Sequence, residues 1–385
     1  MNKILSFAKE TIKSLTFMFP LAFAIAACLG FSEVIGILFA CIAMVFVPTD
    51  RFEHSMPVYS AFLIMGYVLK CYGATALLGT FLICSLLLII SSFFFEKLKK
   101  LFASPAVSGV MLATALTATV LFTTHYFGIG ASGNTTKEMI ESYVSLGFHP
   151  NWRGILYGTI VMVIMITLPK KFKKFSGIVS ASFVAIIATL FLNLALNPVD
   201  MATSIAEISN GTTNDILPLL FDKFKTFESV NIIQSIPAGI ALFLISFYAI
   251  SQNENAQKSD YIIAGAANVT VGGFSCFPLS CIKTKNILPG IAAAAIMLLA
   301  FCIGEDFVLR IPLHSCAVVI IVGAWHSVKW RKIKSAFSGI LPFTCFVLCT
   351  LSCLLIDFVS GVLISFGISL LFTVFSKDLK ILEKS

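Results

Sequence analysis

Charge is scarce in this chain. Asp, Glu, Lys and Arg make up 12% of its 385 residues, hydrophobic residues make up 58%, and the mean hydropathy is +0.96. A soluble globular domain carries about 25% charged residues, so that class is excluded and a polytopic membrane protein is expected. The five histidines, His54, His125, His149, His314 and His326, stand apart, with no carboxylate or cysteine at ligand spacing, so neither a metal site nor a cofactor is expected. The eleven cysteines lie in apolar segments, with Cys345, Cys349 and Cys353 at helical spacing. They behave as small buried hydrophobes and imply no disulfide framework. The first apolar stretch runs past Pro20 without a small-residue cleavage site, so a cleaved signal peptide is not expected.

Carboxylates are missing from two further places. Neither Leu15 to Phe31 nor Asn231 to Ile250 contains Asp or Glu, and carboxylates at midplane depth are the usual acceptors for coupling protons or sodium. A cation-driven symport loses weight accordingly. The loops hold no cluster of His, Asp or Glu of the kind a polytopic membrane enzyme would place at one interface.

What the chain does have is a succession of apolar runs from Leu15 to Phe375, with room for roughly twelve to fourteen spans of about 20 residues. The expected helices are 14–31, 33–48, 57–72, 74–95, 104–125, 152–169 and 177–196, then 231–250, 260–274, 279–288, 291–303, 308–327, 335–355 and 358–375. The long polar interruption at 197–230 separates two halves of similar hydropathy, about 14–197 and about 230–376. Seven spans per half is an odd number, which makes the two copies inverted in the membrane. Phe19-Pro20-Leu21-Ala22 has a counterpart in Ile236-Pro237-Ala238-Gly239, and Ser104-Pro105-Ala106-Val107 in Ile311-Pro312-Leu313-His314.

The net charge of +8 reports topology rather than nucleic acid, because most of it falls in alternate loops. The basic residues cluster at Lys3 to Lys13, Arg51, Lys97 to Lys100, Lys170 to Lys174, Lys258, Lys329 to Lys334 and Lys377 to Lys384. Those loops and both termini are expected to be cytoplasmic, in a plasma membrane that we take to be a bacterial inner membrane. The loop at 197–230, with Asp200, Glu207, Asp215, Asp222 and Glu228, then faces outside.

Two segments depart from plain hydrophobicity. Pro278 and Pro289 bracket a stretch with Ser280, Ile282, Lys283, Thr284 and Lys285 that, if helical, rises roughly 15 Å, half of a bilayer core. Such a half-helix aims its N–H groups and positive dipole end into the membrane interior, where an anion could be held. Read otherwise, Lys283 and Lys285 belong to a short cytoplasmic loop. An ammonium within the membrane costs at least about 2.5 to 3.5 kcal/mol, and a bound anion is its simplest compensation. The second segment, Met56-Pro57-Val58-Tyr59, follows Arg51, Glu53 and His54. It reads either as the inverted partner of the first or as an ordinary interfacial loop leading into a helix.

The order of these pieces resembles the sulfate permease family, whose animal branch includes prestin and the pendrin-like anion exchangers. Phe19-Pro20-Leu21-Ala22-Phe23-Ala24 with Gly36 looks like its first-helix pattern, and Met56-Pro57 stands where the family has Gly-Pro. Ser104-Pro105-Ala106-Val107-Ser108-Gly109 resembles the fifth-helix entry, and Phe358-Val359-Ser360-Gly361-Val362-Leu363 the last helix. Ala264-Gly265-Ala266-Ala267-Asn268-Val269, Gly272-Gly273 and Ser280 to Asn286 resemble the run leading into the family's anion site.

The resemblance implies an all-α fold of about 14 transmembrane segments in a 7+7 inverted repeat. A core and a gate domain would divide it, with two short half-helices meeting at the midplane. Thr284 would stand for the site serine and Lys285 for the site arginine. Met56, Pro57, Val58, Tyr59, Leu21, Ile25, Ser246, Ser280, Ile282 and Lys283 would line the substrate. Lysine for arginine replaces a planar fork with a point charge, Leu21 replaces a polar residue, and Ser246 lies near where cation-coupled members carry an acid. No cytoplasmic STAS domain is expected after Ser385. The expected activity is transport of a small inorganic or carboxylate anion by an elevator-like movement, as uniporter or exchanger and not as an enzyme. The bilayer is the expected partner, nucleic acid is not, and a homodimer is left open. The alternative of the same fold is a nucleobase permease, which would want acids on the eighth and tenth helices; less favoured is a membrane enzyme or scaffold.

Overall fold

The computed structural model describes residues 2–29, 33–46, 56–133, 135–147, 149–172, 180–196, 229–252, 256–272 and 287–382. Outside them lie the acidic segment at 197–228 and nearly all of the expected helix at 279–288. Fifteen helices and no β-sheet make up the described residues. They are α1 (Asn2–Cys28), α2 (Glu33–Phe46), α3 (Met56–Ser91), α4 (Phe95–Lys99), α5 (Ser104–Phe127), α6 (Thr136–Leu146), α7 (Trp152–Lys171) and α8 (Ala181–Ala195). The second half adds α9 (Ser229–Ser251), α10 (Lys258–Gly272), α11 (Leu288–Leu309), α12 (Leu313–Ser327), α13 (Trp330–Ala336), α14 (Ile340–Leu355) and α15 (Phe358–Leu382).

Local chemistry explains most boundaries. α3 holds the expected third and fourth helices, divided at Gly73 with φ of 78°, a left-handed conformation that glycine adopts without steric cost. Its first arm, 56 to 73, rises roughly 25 Å, as the expected helix 57–72 does, which is longer than the half-helix that the family resemblance implied; Gly66 does not interrupt it. α1 starts at Asn2 rather than near 14: Lys9, Glu10 and Ala8 favour helix, and no proline or glycine interrupts before Pro20. α5 opens with Pro105 in its first turn and closes on left-handed Gly128. Asn151 caps α7 by accepting from the N–H groups of Arg153 (3.2 Å) and Gly154 (3.1 Å). α6 was not expected, although Thr135-Thr136-Lys137-Glu138 carries its signal: the Thr135 hydroxyl accepts from the Glu138 N–H at 3.2 Å.

Among the described residues, four helices are long and apolar enough to cross a membrane, over Ile4–Cys28, Ser104–Phe127, Trp152–Lys171 and Ile232–Ser251. α12 and α13 reach that length only when taken together across a bend of 52°. Others are short: α2 has 14 residues and α10 has 15, roughly 21–23 Å at 1.5 Å per residue. A helix that ends short of the bilayer surface needs protein around its exposed backbone groups.

The packing supplies it. α1, α2 and α11 pack on one another, as do α3, α9 and α10; these two trios form a first group, and both touch a second, connected group of α5, α7, α8, α12, α14 and α15. Very close helix contacts use glycine. A Cβ at Gly265 of α10 would lie 2.9 Å from the Ser85 carbonyl of α3, and one at Gly290 of α11 would strike the Met44 carbonyl of α2. Between the groups run hydrogen bonds such as Ser60 Oγ to Thr114 Oγ1 at 2.8 Å. Within the second group, Trp325 Nε1 donates to Thr119 Oγ1 at 2.8 Å and Ser315 Oγ donates to Thr189 Oγ1 at 3.1 Å.

Candidate functional site

Besides a small apolar cavity between α9, α5 and α15, two cavities lie where the groups of helices meet, at opposite ends. The first has a volume of about 80 Å³ and is bounded by Leu21 of α1, Tyr59 of α3, Met165 of α7, Ser182 of α8, and Gly323 and His326 of α12. It lies toward Lys170 and Lys171, which close α7. Tyr59 stands one turn into α3, buried, with its hydroxyl against Gly323. A Cβ at Gly323 would collide with that hydroxyl, so glycine permits the tyrosine to reach α12.

The second cavity is wider, about 370 Å³, and lies toward the other end of α5. Ala27 and Cys28 of α1 and Phe62, Leu63 and Lys70 of α3 form one wall; Thr117 and His125 of α5 form the facing one. The segment before α6 covers it. Lys70 Nζ donates to the Gly133 carbonyl at 3.3 Å, the Ser132 N–H donates to Ser142 Oγ at 3.1 Å, and Tyr143 OH donates to the Val120 carbonyl at 3.3 Å. Burial pushes the Tyr143 phenol up to about 12, so it stays a neutral donor through the physiological range.

The sequence-predicted site residues separate accordingly. Leu21 and Tyr59 share the narrow cavity, and Ile25 and Val58 are buried in the core beside them. Ser246 is buried on α9 beside Cys84 of α3. Met56 and Pro57 open α3, and their side chains lie outside the described residues. So do Ser280, Ile282, Lys283, Thr284 and Lys285. Sequence reasoning missed the wide cavity. Its signal was Lys70, a single lysine within the 36 residues of α3 and away from every basic loop.

At the end of the bundle carrying the basic loops, Lys332 of α13 donates to Gln252 Oε1 at 3.0 Å and to Tyr248 OH at 3.3 Å. Burial, and next to it the like charge of Lys329, holds its pKa below the usual lysine value. Among the described residues no group of His, Cys, Asp and Glu is placed to hold a metal ion.

The same backbone arrangement occurs in solved anion transporters. The transmembrane domain of a cyanobacterium bicarbonate transporter, BicA, superposes with a TM-score of 0.64 at 13% identity over 96% of each chain. The chain has the fold of that transmembrane domain. SLC26A9 shares it, with a TM-score of 0.63 at 13% identity, covering 97% of this chain and 66% of that one. Murine Slc26a9, an anion transporter described in the inward-facing state, gives 0.64 at 11% identity over 97% of this chain and 69% of that one. This chain therefore spans about two thirds of the length of the SLC26A9 proteins. No family model and no curated protein sequence matches the chain. At such identities the likeness is one of backbone, carried by buried apolar faces that many sequences can supply. The all-helical membrane fold expected from the sequence is the one found.

Proposed function

We propose that this protein is a secondary or facilitative transporter of a small anion, sulfate, bicarbonate, chloride or a carboxylate, working by elevator-like alternating access as a uniporter or exchanger. The observation that carries the reading is the match along nearly the whole length of both chains to the BicA transmembrane domain. Two features of the packing support it. Exchanging the halves of the chain maps the α2–α11 contact onto α10–α3, α5–α14 onto α12–α7, and α14–α15 onto α7–α8, as a 7+7 inverted repeat requires. Each of the exchanged pairs α10–α3 and α2–α11 is closed by a glycine, Gly265 on α10 in one and Gly290 on α11 in the other. The first packing group is then the core and the second the gate, and the two cavities lie between them, wide at one end and narrow at the other.

In this reading Lys285 and Thr284, with the start of α3 opposite, hold the anion, and both termini are cytoplasmic. From Leu15 to Cys28 and along α9 the chain has no carboxylate, so no proton or sodium gradient is required. The test is uptake of labelled bicarbonate, chloride, sulfate and a dicarboxylate into proteoliposomes, with and without counter-anion inside. Uptake of at least one anion in the absence of cation gradients is expected. A well-folded protein that moves none of them overturns the reading, and uptake that stops without a proton or sodium gradient overturns its mechanism.

A further inference from the structure

We propose that the wide cavity is a second anion site, a waiting room in which Lys70 captures a small anion before it reaches the start of α3. The proposal rests on the transport reading for its purpose, but its own geometry makes it a binding site. Lys70 is the cation in this cavity, and among the described residues no carboxylate lines it or pairs with the ammonium. An ammonium has three donors, and the Gly133 carbonyl takes one. Across the cavity, the Thr117 hydroxyl is 3% exposed and has no hydrogen-bond partner, although a buried hydroxyl is normally paired. His125, Thr124, Ser132 and Thr135 add polar edges, and Phe62 and Phe122 supply apolar walls.

Lys70 is exposed, so water screens part of its charge, yet it is the charged lysine of the lining and its ammonium reaches the cover of the cavity. The sign of that charge selects anions. Charge-assisted hydrogen bonds from the remaining ammonium donors would hold a halide or a small oxyanion there. The cavity reaches from Ser132 and Thr135 down to Phe62 and Leu63, one turn from Tyr59, so an anion held there is already on the way to the start of α3. The Lys70 bond to Gly133 also ties the segment before α6 to α3, so the same lysine holds the cover and faces the ligand.

The test reads local potential and needs no transport, so its outcome is separable from that of the uptake assay. Cysteine is introduced at exposed Ser132 in detergent-solubilised full-length protein whose Cys71 and Cys302 are replaced by serine. The protein without the new cysteine serves as the blank. Modification rates are compared for the negatively charged sulfonatoethyl and the positively charged trimethylammonium-ethyl methanethiosulfonates. The anionic reagent is expected to be favoured, and Lys70→Gln is expected to lower the anionic-to-cationic rate ratio by about tenfold, while Lys70→Arg keeps it. Replacing gluconate by chloride, bicarbonate or sulfate at constant ionic strength should slow the anionic reagent at least twofold, and Lys70→Gln should abolish the slowing. If the ratio is unchanged in folded Lys70→Gln, or if none of the three anions slows modification, the site does not exist, whether or not the protein transports.

Discussion

At the end of the bundle that carries Lys170 and Lys171, Tyr59 rests against Gly323 and leaves about 80 Å³; at the other end Lys70, His125 and Thr117 surround about 370 Å³. The two places share α1 and α3, with α7, α8 and α12 completing the narrow one and α5 the wide one; one end is closed by an aromatic side chain on glycine and the other is held apart around a cation. The contrast teaches where each lysine belongs. Lysines of the basic loops report topology, whereas Lys70, though exposed, lines a cavity between helices and donates a hydrogen bond to a backbone carbonyl.

The largest effect expected is all-or-none and fixes which medium each cavity faces. Cysteines replacing Lys97 and Lys170 should be unreachable by an impermeant reagent outside intact cells, whereas a cysteine at Ser132 should label. Labelling at Lys97 and Lys170 with protection at Ser132 would invert the bundle and exchange the two cavities. Next comes the proposed central site. Lys285→Ala should weaken anion affinity by about 10-fold to 150-fold with folding intact, since hydrogen bonds to charged groups contribute about 1.5 to 3 kcal/mol. Unchanged affinity, measured by concentration-dependent uptake, would make Lys285 a loop residue and leave the Lys70 cavity as the sole anion site.

Closure at the narrow end is tested by Gly323→Val, which puts methyl groups where the Tyr59 hydroxyl lies. Overpacking of this kind costs about 1–3 kcal/mol, seen as a lower midpoint of thermal unfolding. The displaced ring should raise the modification rate of a cysteine at Val322. A stable protein with Val322 no more reactive than before would mean that Tyr59 is not the closure. The smallest effect concerns the cover of the wide cavity. Thr135→Ala removes the cap of α6 and should cost about 0.5–2 kcal/mol locally, read as faster hydrogen exchange at amides 136–146 with α5 unaffected. Equal exchange would assign the order of α6 to the Tyr143 contact with Val120 instead.

Much of the fold was legible in the residues because it rests on one-dimensional signals. The apolar runs marked the spans, Gly73 marked the break within α3, and Pro105 marked a helix start, whereas the helix expected from 308 begins only after Pro312 because the preceding helix runs on to Leu309. α6 was legible too, in Thr135 and Glu138, but it is short and polar and carries no membrane signal. The candidate site was far less visible. Leu21 and Tyr59 were singled out and do share a cavity, whereas Lys70 and Thr117, 47 positions apart in the numbering, look like an isolated lysine and an ordinary helical threonine until α3 and α5 face one another.

The sequence by itself determined that this is an all-helical membrane protein, because apolar surface of that amount cannot be left in water and a spanning backbone must satisfy its hydrogen bonds internally. It also marked some of the helix boundaries, such as Gly73 and Pro105, although Pro20, Pro169 and Pro237 lie inside unbroken helices. Which helices touch, which end of the bundle closes, and that Lys70 faces a cavity beside an unpaired hydroxyl were decided by the tertiary structure. Those facts depend on side chains far apart in the chain meeting at van der Waals distance, and no local propensity encodes such a meeting.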